Sequence, residues 1–163
     1  MFAKEALSYV ACLHNQGKSF WVLGDHYRFK ISSEETRGSL AVVEIIAFPE
    51  NGPPPHIHHR EDESFYILDG TFAVLIGDQS FGGSTGDFVH IPKGTLHTYE
   101  NIGTTPGRIL VTLTPGGFEN FWREIGESAQ QDFDPLAPPE GIIENLMALA
   151  PKYHLEIPPP TSD

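Results

Sequence analysis

The sequence is poor in cysteine, in positive charge and in long apolar runs, and each shortage removes a class of protein. Cys12 is the one cysteine among 163 residues, which excludes an internal disulfide framework and any zinc site built on a cysteine cluster. Lysine and arginine total 10 against 22 aspartates and glutamates, a formal net charge of -12. No two basic residues are adjacent, so no local patch offsets that charge. Neither nucleic acid nor an anionic membrane surface is therefore an expected partner. No stretch approaches the run of about 18 uncharged apolar residues that a membrane-spanning helix needs. The start of the chain lacks a long apolar region followed by a small-residue cleavage site, and a cytoplasmic location is the expectation from these absences. There is no phosphate-binding glycine loop and no dinucleotide fingerprint.

What the chain does have is turn-forming residues and apolar bulk. Sixteen glycines and 14 prolines accompany 39% hydrophobic residues and 11% aromatics, a mixture that favours many turns and short strands. At 18.0 kDa the chain is long enough for one domain with its own core. Residues 20–23 and 26–31 read as strands split by Gly24-Asp25, and residues 32–38 as a polar loop. Residues 40–48 are almost unbroken Val, Ile and Ala, the pattern of a strand buried on both faces. Its polar exception, Glu44, faces a wet cavity, a hydrogen-bonding partner or solvent. Residues 64–68 and 72–76 are expected to form a hairpin about Asp69-Gly70, followed by loops around a short strand over 77–86. Further strands are expected at 87–91, 97–100 and 108–113. About nine short, regularly spaced strands predict an all-β sandwich or barrel.

The pattern changes after Gly117. Phe118, Phe121, Trp122 and Ile125 share one helical face, and residues 140–150 read as a second helix presenting Ile143, Leu146, Met147 and Ala150. Pro139 suits the start of that helix. Residues 152–157 read as an edge strand and 158–163 as a loose tail. The expected division is an N-terminal arm over 1–19, a barrel over 20–115 and a C-terminal helical extension with its tail over 116–163. Helices this short cannot form their own core, so they are expected against the outside of the barrel or at a dimer contact.

The chemistry concentrates in two stretches. In Pro55-His56-Ile57-His58-His59-Arg60-Glu61-Asp62-Glu63, the spacing of His56 and His58 puts both imidazoles on one face of a strand. The preceding prolines stiffen the approach. Glu63 shares a face with Phe65 and Ile67, a carboxylate at the mouth of an apolar cavity, while residues 60–62 read as solvated charge. In the second stretch Pro92 ends a strand, Gly94 makes a turn and His97 starts the next strand. Three imidazoles and one carboxylate from separate strands suit a divalent first-row metal with positions left open. The alternative is that some of the eight histidines cluster by accident.

These residues resemble the two motifs of the cupin superfamily. The first runs Gly, x5, His-x-His, x4, Glu, x6, Gly and is met by His56, His58, Glu63 and Gly70. Its first glycine is out of register, because Glu50 stands at that position and the glycine is Gly52. The second runs Gly, x5, Pro, x, Gly, x2, His, x3, Asn and is met throughout by Gly86, Pro92, Gly94, His97 and Asn101. The resemblance implies a double-stranded β-helix, a jelly-roll barrel with the C-terminal helices packed outside. It also implies His56, His58, Glu63 and His97 as ligands of one divalent transition metal: iron, manganese, nickel or copper foremost, with zinc and cobalt also compatible. The Pro-Pro-Pro-His and Glu-Ser-Phe-Tyr-Ile-Leu-Asp-Gly runs look most like small single-domain cupins similar to quercetin 2,3-dioxygenases.

The family spans several chemistries, so the fold does not choose among them. One expectation is a dioxygenase of a small phenolic or enolic compound, in which Glu63 is both ligand and general base as the resemblance implies. The others are a metal-dependent isomerase or lyase, favoured by a lysine or arginine inside the barrel, and a non-catalytic ligand-binding or sensor module. Phe65, Ile67, Phe72, Val74, Phe88 and Tyr99 are the candidate pocket lining. Tyr99 shares a face with His97, and its phenol either bonds to substrate or simply fills the core. His59 and His90 are expected to face outward, His14, His26 and His154 to be ordinary, and Asn101 to close a turn. A homodimer is expected, with the N-terminal arm and the C-terminal helices at the contact.

Overall fold

The computed structural model describes residues 9–130 and 137–159. Most of the expected N-terminal arm's first half, residues 1–8, and the tail residues 160–163 lie outside the described residues. In chain order the elements are β1 (Ser19–Val22), β2 (Asp25–Ile31), β3 (Ala41–Ala47), β4 (Ile57–His58), β5 (Asp62–Asp69), β6 (Thr71–Ile76), β7 (Gln79–Ser84), β8 (Phe88–Ile91), β9 (His97–Asn101), β10 (Gly107–Thr114), α1 (Glu119–Ile125), β11 (Glu127–Ser128), α2 (Ile142–Leu149) and β12 (Leu155–Glu156). A 3-10 turn, Ala150–Tyr153, joins α2 to β12.

Two antiparallel sheets face each other as a double-stranded β-helix. The larger has the order β11-β1-β2-β3-β10-β5-β8, and the smaller β7-β6-β9. The short pair β12-β4 extends the smaller sheet, because His56 and His97 exchange backbone hydrogen bonds of 3.0 and 2.9 Å. Period-two alternation decides what lies between the sheets. Val43 and Ile45 of β3, Ile109, Val111 and Leu113 of β10, Phe65 and Ile67 of β5, and Phe72 and Val74 of β6 are all buried in one core.

Two expectations need correction, and one open choice is decided. Asp69-Gly70 does not close a hairpin: β5 pairs with β10 and β8, whereas β6 pairs with β7 and β9. Gly70, at φ 100°, instead carries the chain from one sheet to the other. In α2 the buried positions are Ile142 and Leu146, while Ile143 and Met147 are 55% and 48% exposed. The helix docks about one residue out of the phase that its composition implied, with Ala150 on the buried side. Glu44 lies on the outer face of β3 but is buried there. Its Oε1 accepts hydrogen bonds from Arg108 Nε at 3.0 Å and Nη2 at 2.7 Å, with Arg28 and Lys30 at 3.9 and 4.0 Å from Oε2. Of the three surroundings open to it, the hydrogen-bonding partner is the one it has.

The C-terminal elements pack over one end of the barrel. Phe118 and the α1 residues Phe121 and Trp122 join the core cluster, as do Leu146, Ala150 and Leu155. The buried carboxylate of Glu119 ties this layer down. It accepts the backbone N–H of Ser33 and of Gly117, both at 2.7 Å.

Candidate metal centre

Three local features bring the donor groups together. The Pro53-Pro54-Pro55 run delivers His56 in extended backbone alongside His97, where the reciprocal bridge fixes both. Gly52 allows this approach, since a Cβ there would meet the Tyr99 carbonyl oxygen at 1.9 Å. Two residues on, His58 lies in β4, its carbonyl accepting the Gly94 N–H at 2.7 Å. Glu63 enters from the facing sheet, near the start of β5.

The resulting cluster is His56, His58, Glu63 and His97, with one potential ligand atom from each lying within 4.8 Å of all the others. His58, Glu63 and His97 are buried and His56 is half-buried. Glu63 Oε2 is the focus, 3.1 Å from His58 Nε2 and 2.9 Å from His97 Nε2. The outer nitrogens of two rings are already fixed. His56 Nδ1 lies 2.8 Å from the Pro54 carbonyl and His97 Nδ1 2.9 Å from that of Thr95. A carbonyl oxygen only accepts, so both Nδ1 atoms carry hydrogen and Nε2 is the ligand atom in each ring.

The electrostatics follow from crowding. Burial, then repulsion from His97 and His58, pulls the His56 imidazole down to about 3, which keeps it a neutral ligand. Burial alone would raise the Glu63 carboxyl, but the hydrogen bonds and charges of His58 and His97 outweigh it and hold the group well below the ordinary range. For His97 burial pulls downward, and the bond to Glu63 with its charge carries the ring above its ordinary value. A cluster of three imidazole nitrogens and one carboxylate oxygen, buried and convergent, is the donor set of a divalent transition metal, and this cluster is able to hold one.

A narrow cavity of about 40 Å³ opens beside the cluster, touching His56, Glu63 and His97. Of the six residues expected to line it, only Tyr99 does. Phe65, Ile67, Phe72 and Val74 fill the core deeper in the barrel. Phe88 is 64% exposed, because it shares the outward face of β8 with His90, while Val89 and Ile91 point in. Tyr99 packs edge-on against Phe65 and Phe72, each at 5.9 Å between ring centroids. Its hydroxyl is buried without a hydrogen bond of good geometry. Burial, then the neighbouring Tyr27 and Asp25, keeps this phenol far from ionisation.

The cavity wall holds residues that sequence reasoning missed. Tyr27 lines it from β2, where alternation with the buried Phe29 could have placed it inside. Phe118, Phe121, Trp122 and Ile125 come from α1 and its approach, and Leu146, Leu155 and Ile157 from the last segment. Phe118 meets the His58 ring edge-on at 4.2 Å. Among the described residues no lysine or arginine lines the cavity. Glu61 is the other omission. It was expected in a solvated charge run, yet it is 2% exposed and its Oε2 lies 3.8 Å from His58 Nδ1. Burial raises its carboxyl above the ordinary value, against the pull of His58 and Arg60. Its parity with Glu63 and Phe65 was the available signal.

Of the remaining histidines, His59 and His90 face outward as expected, whereas His26, expected to be ordinary, is buried. His59 is exposed and bonded to Glu156 at 2.7 Å, and His90 is exposed and bonded to Ser64 at 2.8 Å. His26 is buried on the outer face of the sheet, where burial, then Arg28, pulls it down to about 4. Asn101 closes a turn as expected, donating to Ala47 and Thr105 carbonyls at 2.8 and 2.9 Å.

Comparison with known proteins agrees with this geometry. Residues 44–113 match the family model of the cupin domain. The chain is 28% identical over 127 residues to a quercetin 2,3-dioxygenase of Bacillus subtilis, covering 76% of this chain and 37% of that protein. It is 30% identical over 128 residues to a quercetin 2,3-dioxygenase of Aspergillus japonicus, covering 74% of this chain and 36% of that protein. The chain thus spans little more than a third of the length of these relatives. Among solved structures, KdgF from Halomonas sp. superposes with a TM-score of 0.62 at 18% identity, over 69% of this chain and 99% of that one. An RmlC-like cupin from Shewanella frigidimarina gives 0.60 at 18% identity, over 69% and 96%. Residues 44–113 therefore form a cupin domain, in a chain that resembles the quercetin 2,3-dioxygenase-like members of that family.

Proposed function

We propose that the chain is a mononuclear metal enzyme, a dioxygenase acting on a small phenolic or enolic compound, with His56, His58, Glu63 and His97 holding the metal. The observation that carries this reading is the pairing of a complete donor set with an apolar cavity that lacks cationic side chains. A sugar-phosphate or small-acid isomerase needs a lysine or arginine to hold its anionic substrate. Here Arg28, Lys30 and Arg108 gather instead around Glu44 on the outer face of the sheet. The resemblance to two quercetin 2,3-dioxygenases points the same way.

A bound redox metal would supply Lewis acidity and a meeting point for dioxygen and an enolate. The protein's own residues do the rest. Glu63 Oε2, at the edge of the cavity, is the group placed to accept the hydroxyl proton of the substrate. The Tyr27 and Tyr99 phenols stay protonated and offer hydrogen bonds to a second oxygen. Apolar walls exclude water from the reacting groups. A cavity of about 40 Å³ holds few atoms as it stands. A ring enters by displacing the wall of residues 142–157, whose strand contact with the barrel is the two-residue pairing of β12 with β4.

The test is elemental analysis of protein purified without a metal-affinity tag, beside a variant with His58→Ala and His97→Ala. About one equivalent of iron, copper, manganese or nickel, absent from the variant, is expected, followed by oxygen uptake with flavonols or small phenols. Protein that takes up no metal after reconstitution refutes the proposal. Zinc alone keeps the site but removes the redox step.

A further inference from the structure

We propose that Glu61 is a positioning residue for metal binding: its carboxylate accepts the Nδ1–H of His58 and so presents Nε2 of that ring to the metal. The inference rests on the metal reading above but concerns a residue outside the donor set.

The argument begins from a mismatch among the three rings. An imidazole that binds through Nε2 must keep its proton on Nδ1, and the partner of that proton fixes both tautomer and ring angle. His56 has the Pro54 carbonyl for this purpose and His97 the Thr95 carbonyl, each two residues earlier in the chain. His58 has no backbone acceptor: its Nδ1 is buried with no hydrogen bond. The polar atom beside it is Glu61 Oε2, 3.8 Å away, which is also buried with no hydrogen bond. That separation is about 1 Å longer than a hydrogen bond, between two atoms that are each other's complement.

Two orphaned buried polar atoms side by side are costly unless they serve one another. Glu61 reaches this place because the chain turns sharply between β4 and β5, bringing residue 61 under the ring of residue 58. Arg60 Nε lies 3.9 Å from Oε1, and the Glu61 backbone N–H and His154 also act on the carboxylate; Oε2 is the oxygen with no hydrogen bond. Phe118 holds the His58 ring from a different side, edge-on at 4.2 Å, and supplies no acceptor. Packing therefore limits where the ring sits, while Glu61 at Nδ1 opposes Glu63 at Nε2, 3.8 and 3.1 Å away, and holds the proton on Nδ1 when Nε2 is given to a metal.

The experiment compares wild-type protein with Glu61→Ala, Glu61→Gln and His58→Ala. Metal-free protein is titrated with cobalt(II) against a competing chelator, and the cobalt absorption spectrum is recorded. Glu61→Ala is expected to bind cobalt about 10- to 100-fold more weakly, with an altered spectrum. Glu61→Gln, whose amide oxygen still accepts a hydrogen bond, is expected to stay within a few-fold of wild type. A Glu61→Ala affinity within twofold of wild type overturns the proposal, as does a Glu61→Gln variant as weak as the alanine. A second readout needs no metal: nitrogen-15 NMR of the His58 ring, for whose proton Glu63 Oε2, 3.1 Å from Nε2, competes with Glu61. Hydrogen on Nδ1 is expected in wild type and Glu61→Gln and its loss in Glu61→Ala, where only Nε2–H to Glu63 remains, and a ring unchanged by Glu61→Ala counts against the proposal. Wild-type protein that takes up no cobalt, like His58→Ala, removes the metal-binding role. A tautomer that still depends on Glu61 in that case shows the failure to lie in the metal reading and not in the His58–Glu61 pairing.

Discussion

Replacing Phe118 by alanine tests whether the C-terminal segment is part of the site or merely lies near it. The Phe118 ring is buried to 2% exposure and contacts four aromatic side chains: His58 at 4.2 Å, Phe121 at 5.1 Å, Trp122 at 5.3 Å and Tyr153 at 6.3 Å between centroids. Truncating a buried phenylalanine costs about 3–5 kcal/mol through lost transfer energy and the cavity left behind. Edge-on ring pairs add to that, at about 0.5–1.5 kcal/mol for a good one. Phe118→Ala should therefore lose about 4 kcal/mol, a large part of the roughly 5–15 kcal/mol that holds a domain of this size. Phe118→Leu keeps most of the volume and should lose about half as much. Urea unfolding of metal-free protein is the assay, because bound metal would add its own stabilisation. A loss under about 1 kcal/mol for the alanine variant would refute the docking of Phe118 and α1 over the barrel mouth.

Three further perturbations probe parts of the fold that frame the site. Glu50 occupies the left-handed region at φ 62° and is exposed, where an L-residue costs about 1–2 kcal/mol. After the extra chain entropy of glycine is subtracted, Glu50→Gly should stabilise by about 0.5–1 kcal/mol in urea unfolding, and any destabilisation contradicts the strain. Asp25 is buried with its carboxyl raised from 3.8 to about 6, burial outweighing the Phe48 N–H and Asn51 amide that bond to it. A raised folded value means a contribution fully present below about 3.8 and lost as pH rises through about 6. The loss amounts to about 3 kcal/mol. Asp25→Asn should abolish that share of the pH dependence, and stability curves that stay parallel from pH 3.5 to 7 would exclude the shift. Glu44→Ala leaves the buried Arg28 and its neighbours Lys30 and Arg108 without their shared anion. A loss of about 3 kcal/mol is expected, read from thermal or urea unfolding, and a neutral result would place the ion cluster in solvent.

The barrel was legible because its signals are local. Residues 40–48 are a nearly unbroken apolar run and His56 and His58 share a parity, so strands and candidate donors could be read from local pattern, and the resemblance to the two cupin motifs singled out the set of four. Glu61 was misplaced because four consecutive polar residues, 60–63, look alike in composition, and parity was applied to Glu63 but not to its neighbour two positions earlier. Phe88 was misplaced for the complementary reason: its chemistry suggested a pocket, while its parity with His90 pointed outward. The Asp69-Gly70 turn signal was real, but a left-handed glycine serves equally for a hairpin and for a crossing between sheets. Which of these occurs depends on the pairing of β5 with β10, about 40 residues away in the chain, and no local pattern carries that information.

The same distinction separates the donor set from the cavity wall. All four donor residues lie within the matched cupin domain, residues 44–113. Phe118, Phe121, Trp122, Leu146, Leu155 and Ile157, which close the cavity, all follow it. The motif thus specifies a cluster able to hold a metal, and a later part of the chain specifies what can approach it. Two cupins can share every donor and differ in substrate if their closing segments differ, which is the physical content of saying that fold does not fix function. In this chain the closing segment is aromatic, uncharged toward the cavity and joined to the barrel through β12 and β4. Because β4 also carries His58, the ligand entry proposed above, by displacement of β12, would strain the strand that presents one member of the cluster. On that proposal, ligand size and the placing of His58 Nε2 would be coupled, on the ring that Glu61 and Phe118 adjoin.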